Sequence, residues 1–308
     1  MPGPLLAADV PWLLYRSFFA LPKSIADADG HPVNALLGTV NAILSVIDSR
    51  SGERRPRAVA ACMGAEQADY RVRLYPPYHA HRDPMPAELA RQWEQAPALL
   101  DSLGWTVATS VELEADDVMF SHARAEEQRG GSALLLTGDR DLYGAVSESV
   151  AVLDLRKDSP ADGVGPQQVR ERYGVEPQVV PDLIALRGDP SDGLPGAPGI
   201  GAKTAAELLR AHGSLEAVLG AAEVASAAPL PARAQAAAGM RPRIAAALCE
   251  HAEELRSFKL IATLQRIEVE PPADRATDYA AGAETAGRLG MRRLAERLQK
   301  LAAGEPTG

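Results

Sequence analysis

Eight carboxylates stand where side chains with free lone pairs can converge: Asp9, Glu114, Asp116, Asp117, Asp139, Asp141, Asp189 and Asp192. Asp9 closes a short apolar run that begins at Leu5. Glu114, Asp116 and Asp117 follow a strand-like run, Trp105–Thr109, and open the next helix. Asp139 and Asp141 follow the apolar run Ser132–Leu136, within Thr137-Gly138-Asp139-Arg140-Asp141. Asp189 and Asp192 come from a later loop rich in Gly and Pro and can approach the same cleft. In an open parallel sheet, ligands bind beyond the carboxyl ends of the strands. Three strand ends therefore bring acids to one edge. Crowded carboxylates stay charged only when cations share the site. Oxygen ligands and water suit Mg²⁺ or Mn²⁺, and the lack of His or Cys beside these acids weighs against zinc. Two ions about 4 Å apart can activate a water and stabilise the leaving oxygen of a phosphodiester. Phosphoryl transfer needs little more from a protein than positioning and charge.

Taken singly, each group has an ordinary structural reading. Asp9 can simply end a strand. Glu114-Ala115-Asp116-Asp117 can cap a helix and complement its dipole. Thr137–Asp141 can be a turn with a salt bridge, and Asp189-Pro190-Ser191-Asp192-Gly193 an Asx-type turn. The recurrence at successive strand ends favours chemistry.

The segment Gly193–Ala206 is the most specific linear signal. Its glycines permit a tight turn and close backbone approach. Free N–H groups at the start of the following helix can point at a phosphate, and Lys203 adds positive charge. Gly199, Gly201, Lys203 and Thr204 are the candidate contacts, in a helix-turn-helix-like device that grips a duplex backbone without reading bases. The spacing of a Walker A loop is absent, and no strand precedes the loop, which argues against a dinucleotide fingerprint.

The elements that must position these residues follow from periodicity. Leu5–Ala8, Ala58–Cys62, Trp105–Thr109, Ser132–Leu136 and Val150–Leu153 read as strands. Val33–Ile47, Pro86–Leu100 and Val118–Ala125 read as helices between them. This alternation predicts an α/β fold with a central, mostly parallel sheet and flanking helices. After about Gly163 the chain reads as helical: Pro166–Tyr173, Pro177–Arg187, Lys203–His212, Ser214–Leu219, Pro242–Leu264 with a continuation, and Arg292–Leu301. Ala-rich tracts at Ala87–Ala98 and Ala221–Ala237 favour helix, and Pro306–Gly308 reads as a frayed end. The domain expectation is an α/β core over 1–163 and a helical lobe over 164–308, with the glycine loop at 193–206. At 308 residues and 46% hydrophobic content, the chain can bury a sizeable core. The two cysteines imply no disulfide framework or complete zinc site. With no membrane-length apolar run or signal sequence, a cytoplasmic protein with no membrane partner is expected. A net charge of −9 argues mildly against nucleic acid, but acids gathered in one cleft are cancelled locally by their ions.

Leu5 to about Leu264 resembles the 5′-nuclease family: the 5′–3′ exonuclease domain of bacterial DNA polymerase I, stand-alone bacterial 5′–3′ exonucleases and flap endonucleases. Five stretches carry the resemblance. They are Asp9 with Leu14-Tyr15-Arg16, Tyr70–Pro76, Glu114–Asp117, Thr137–Leu142, and Leu186–Gly196 running into Gly199–Ala205. The resemblance implies a PIN-like nuclease core and a helical arch at about 78–102. It also implies a C-terminal helical lobe whose glycine loop is helix–hairpin–helix-like. By the same analogy Asp9, Glu114 and Asp116 serve a first metal, with Asp117 beside them. Asp139, Asp141, Asp189 and Asp192 serve a second, some through water, and a K⁺ sits at the 193–204 loop. The implied partner is DNA with a 5′ flap, nick or free 5′ end, extending to RNA–DNA primer junctions, cut by a monomer. Arg16, Arg71, Arg73, Arg82 and Lys203 are the candidate phosphate contacts. Arg71 and Arg73 share parity, so an extended stretch would turn both to one side. Tyr15 or Tyr78 can stack on a frayed base.

Two departures bear on activity. Gly64 stands where the family usually has Asp, so a ligand is missing, and Glu66 reaches the place only through a shifted loop. His79 stands where the family usually has a lysine at the reacting phosphate, and a neutral imidazole supplies less charge. His79 and Arg82 are expected to face the DNA. An active 5′-nuclease is the leading reading. A weakened or inactive paralogue that still binds branched DNA is the alternative, and an RNA-directed nuclease is opposed by the duplex-gripping loop. Restoring Gly64→Asp is expected to raise activity at low metal.

Overall fold

The computed structural model describes residues 3–155, 160, 162–227 and 240–304. Among the described residues, five short strands form one sheet: β1 (Leu5–Asp9), β2 (Ala58–Cys62), β3 (Thr106–Ala108), β4 (Ala133–Leu136) and β5 (Val150–Leu153). Their order is β3-β2-β1-β4-β5, and every pairing is parallel. The chain runs outward through β2 and β3, then returns to pair β4 with β1. The direction of winding therefore reverses between β1 and β4, which opens a crevice at their carboxyl ends.

All residues of β1 and β2 are buried, because helices cover both faces of the sheet. Leu5 and Ala7 join one apolar cluster and Leu6 and Ala8 the other, as the two-residue strand period requires. On the Leu6 side lie α1 (Val10–Ala20), α2 (Asn34–Asp48) and α4 (Ala87–Ser102). On the Leu5 side lie α5 (Ala115–Gln128) and the helical lobe. That lobe comprises α6 (Pro166–Tyr173), α7 (Val180–Arg187), α8 (Ala202–His212), α9 (Leu215–Ala227), α10 (Pro242–Glu250) and α11 (Ala252–Ala262).

The last two helices, α12 (Tyr279–Arg288) and α13 (Arg292–Ala302), do not join that lobe. Their Ala283, Ala286, Leu294 and Leu298 share the cluster of Leu36, Val40 and Leu99 on the opposite face. The connecting stretch 264–278 is held along the α/β core. Gln265 N donates to Asp117 Oδ1 at 2.7 Å and Ile267 N to Ser121 Oγ at 3.0 Å. Further on, Trp105 Nε1 donates to Thr277 Oγ1 at 3.0 Å.

The expected helices are present with shifted ends, and Pro242–Leu264 divides at His251. Beyond α9, residues 228–237 of the Ala-rich tract lie outside the described residues, as does Pro306–Gly308. The arch segment consists of turns over 76–82, an irregular stretch over 83–86, and α4. The side of α4 carrying Leu89, Gln92, Ala96 and Leu99 is buried. The stretch around Arg71 and Arg73 is not extended: it forms a short helix, α3 (Asp69–Leu74). Among the described residues, no helix is long and apolar enough to cross a membrane.

Candidate metal-dependent active site

Asp9 is both the last residue of β1 and the N-cap of α1, so two elements fix it. Its Oδ1 accepts from Trp12 N at 3.0 Å, and its Oδ2 from Thr137 Oγ1 at 2.7 Å. Thr137 directly follows β4 and also accepts from Asp139 N at 3.0 Å, so one hydroxyl joins the two strand ends that flank the crevice. Asp141 N in turn donates to Asp139 Oδ1 at 2.8 Å. Glu114 is the N-cap of α5, and its capping box with Asp117 starts the helix that carries Asp116.

The electrostatics divide the acids into two groups that share Asp139. Burial raises Asp9 to about 6, and the neighbouring Asp139 charge adds to this. Burial raises Asp116 well above the carboxylate range, followed by repulsion from Asp139, Asp9 and Glu114. On the other side, burial raises Asp139 to about 6, reinforced by Asp192 and Asp189. Asp141 is raised well above its usual range, again by burial first and then by Asp139, Asp192 and Asp189. Acids from β1, β4, α5 and the 189–192 loop thus face one another. Low dielectric and like charge make them proton-hungry, and a bound cation relieves this. The donor set is all oxygen, which fits hard divalent ions. No three of these oxygens lie within 4.8 Å of one another. Among the described residues only Asp27, Asp29 and His31 meet that spacing. That trio is a surface turn in which Asp27 accepts from Asp29 N and His31 N and pairs with Arg91.

Asp117 lies elsewhere. It is fully buried, pairs with Arg71 Nη2 at 2.9 Å and accepts from Gln265 N at 2.7 Å. Its carboxylate is committed to these partners, which corrects its expected place in the metal and catalytic sets. Arg71 is corrected likewise. It is 4% exposed, and its guanidinium bridges Glu114 and Asp117, so it does not face DNA. The helical twist of α3 separates it from Arg73, which is exposed. Tyr78 is 2% exposed, with its hydroxyl donating to the Glu114 carboxylate at 3.1 and 3.3 Å, so it is not a stacking platform for a base. Tyr15 is only partly covered and donates to Glu66 Oε1 at 2.9 Å; burial and then Glu66 push its hydroxyl up to about 12.

The base of the arch is docked on the acidic loop. His79 Nε2 lies 3.0 Å from Asp192 Oδ1, and Arg82 Nη2 lies 3.2 Å from the same oxygen. His79 stacks on Tyr78 with ring centroids 3.8 Å apart and holds a left-handed backbone, φ 56°. Both residues face Asp192. Arg16 is exposed on α1. In the glycine loop, Asp189 and Leu194 exchange backbone hydrogen bonds at 2.8 Å. A Cβ at Gly196 (φ 67°) would lie 2.3 Å from Gly188 N, so this crossing admits only glycine. Gly199, Gly201 and Lys203 are exposed, Thr204 is half-buried, and α8 has Gly201 as its N-cap, so no side chain caps its N–H groups.

Gly64 is closed to any side chain. A Cβ there would lie 2.5–2.6 Å from Glu114 C, Leu113 O and Ala115 N, because Ala65 N bonds Leu113 O at 2.9 Å. Glu66 is exposed and bonded to Tyr15. Sequence reasoning missed the roles of Thr137 and Arg71. The helix over 69–74 was the signal for Arg71, since it turns Arg71 inward.

Comparison with known proteins decides the family. The model for the 5′–3′ exonuclease N-terminal resolvase-like domain matches residues 4–174, and that for the 5′–3′ exonuclease C-terminal SAM fold matches 175–279. The chain belongs to the 5′–3′ exonuclease family. A Mycobacterium tuberculosis 5′–3′ exonuclease is 36% identical over 97% of this chain and 98% of its own length. A Thermus thermophilus thermostable DNA polymerase I is 36% identical over 96% of this chain, which spans 32% of that polymerase. The same fold occurs in phage T5 flap endonuclease, solved as a pseudo-enzyme–product complex with DNA and metal ions. The TM-score is 0.63 at 18% identity, covering 97% of this chain and 99% of that one. As a 5′–3′ exonuclease, this protein is a divalent-metal-dependent enzyme, and its acids stand at the crevice where the β1–β4 reversal opens the sheet.

Proposed function

We infer that this chain is a structure-specific 5′-nuclease that hydrolyses phosphodiester bonds at 5′ ends, nicks and flaps of DNA. One observation carries the reading: two groups of mutually repelling acids, joined at Asp139, at the β1/β4 crevice beside a glycine loop that opens helix α8. The relatives' names, a 5′–3′ exonuclease and a flap endonuclease, support it. The all-oxygen donors favour Mg²⁺ or Mn²⁺. Asp9, Glu114 and Asp116 would hold one ion, and Asp139, Asp141, Asp189 and Asp192 another. Such ions supply an activated water and charge relief at the leaving oxygen. K⁺ at the 193–204 loop rests on the family resemblance, as do action at RNA–DNA primer junctions and a monomeric state.

The chain's own residues orient the substrate. Arg82 and His79 present donors at the base of the arch, and a phosphate competes with Asp192 for them. Tyr15 offers an aromatic face beside Arg16 on α1. Arg73 and Lys203 add exposed charge, and the N–H groups of Gly199 and of Gly201 to Thr204 suit a duplex phosphate, while Ile200 N is already bonded to Ala197 O at 3.1 Å. Cleavage of a 5′-flap substrate near its junction with Mn²⁺ or Mg²⁺ tests the reading. Binding without cleavage by either ion favours the second reading, a weakened binder of branched DNA. The closed Gly64 position is the observation behind it, since that strand end offers no carboxylate.

A further inference from the structure

We propose that Arg71 is a positioning residue for the metal-binding carboxylate Glu114, through which the foot of the arch sets one side of the metal site. This rests on the metal-dependent reading above. Apart from the Asp117 N–H of the capping box, the donors to the Glu114 carboxylate come from one short stretch, 68–78. Ala68 N donates to Oε1 at 2.8 Å, Tyr78 Oη donates at 3.1 and 3.3 Å, and Arg71 Nη1 lies 3.1 Å from Oε2. That stretch leads directly into the arch.

Arg71 is the charged member, and it is anchored independently of Glu114. Its Nε donates to Ile261 O at 3.1 Å at the end of α11, and its Nη2 pairs with Asp117 at 2.9 Å. Asp117 is itself held by Gln265 N. The guanidinium fork therefore has one arm on the fully buried Asp117 and one on Glu114. Planar, fixed donors suit that task better than a lysine's single flexible charge. Oriented groups behind a ligand commonly control metal affinity. The constraint matters more here, because Gly64 supplies no ligand at the neighbouring strand end.

Two readouts separate this role from a DNA contact: Mn²⁺ binding to metal-free protein, followed by paramagnetic resonance, and affinity for a flap duplex without metal across a salt series. Arg71→Gln is expected to weaken Mn²⁺ binding by roughly 10–100-fold. Arg71→Lys should recover part of that loss, and Tyr78→Phe, which removes only one donor, should weaken binding less. Duplex affinity and its salt slope should stay at the parent value in all three. A lost phosphate contact would instead lower the slope by about one. If Arg71→Gln does not fold, Arg71→Lys and Tyr78→Phe carry the test alone. Parent-like Mn²⁺ binding in both, or a weaker metal-free duplex affinity in Arg71→Lys, overturns the proposal and leaves the nuclease reading standing. A parent protein that takes up no Mn²⁺ overturns both.

Discussion

Asp116 is the acid whose surroundings most favour a metal. It is pressed by burial and by three other acids, and its helix is fixed from behind by Asp117 and Arg71. Asp116→Ala should cut flap cleavage by at least about 100-fold, the upper range for losing a mere supporting group, while duplex affinity without metal stays near the parent value. A variant that cleaves like the parent removes Asp116 from the catalytic set. Gly64 makes the opposite point. The family pattern suggests that an aspartate there would help, but the backbone of 113–115 already occupies the space. Gly64→Asp should therefore destabilise the fold by about 1–3 kcal/mol, as overpacking does, with no gain in activity at low metal. Urea unfolding and a Mn²⁺ titration of cleavage check both halves. The acids at strand ends were legible because each ends an apolar run. The crowding at Gly64 was not, because it depends on loops 49 residues apart lying backbone to backbone.

Elements carry the next level of control. The glycine loop reads well from sequence, since Gly188 and Gly196 cross at a distance no other residue allows and α8 starts directly afterwards. Lys203→Ala should weaken duplex binding at every sequence alike and lower the salt slope by about one; fluorescence anisotropy across a salt series measures it. An unchanged slope would move the phosphate contact elsewhere in the loop. The arch helix was harder to read. Gln92 on α4 is fully buried, accepting from Ala35 N at 2.8 Å and Leu36 N at 3.2 Å, while its Nε2 donates to Asn34 Oδ1 at 3.3 Å. Asn34 in turn donates to Phe18 O and Leu21 O at 3.0 Å, which ties α4 through α2 to α1. A polar residue in a helical pattern gives no hint of such a role. Gln92→Leu strands those N–H groups and should cost about 1–3 kcal/mol, measured by denaturant melts. The segment at 69–74, six residues long, is too short to show a period, so its helical form and the burial of Arg71 were not legible in the sequence.

For the whole molecule, the acid cluster makes stability depend on pH and metal together. Asp9 and Asp139 are raised from 3.8 to about 6, and Asp116 and Asp141 move in the same direction. Between 3.8 and about 6 the folded, metal-free protein holds protons that the unfolded chain has released. Stability from these groups therefore falls as pH rises through that window and stays low above it. Other acids act in the opposite sense: Asp27 and Glu127 are lowered, by the His31 backbone N–H and by the Ser147, Ser149 and Arg124 side chains respectively, and they stabilise the fold above their usual pKa. A melting curve against pH in chelator mixes the two contributions. Mn²⁺ separates the cluster from Glu127, because it binds the deprotonated cluster while Glu127 is already held by Ser147, Ser149 and Arg124. The rise in melting temperature on adding Mn²⁺ should be several degrees at pH 7.5, and much smaller at pH 5, where protons compete for the same oxygens. Calorimetry at pH 7.5 should also detect protons released on Mn²⁺ binding, more of them as the pH is lowered toward 6. An equal stabilisation by Mn²⁺ at both pH values would mean that the ion binds outside this cluster, and the crevice at β1 and β4 would lose its claim to the chemistry.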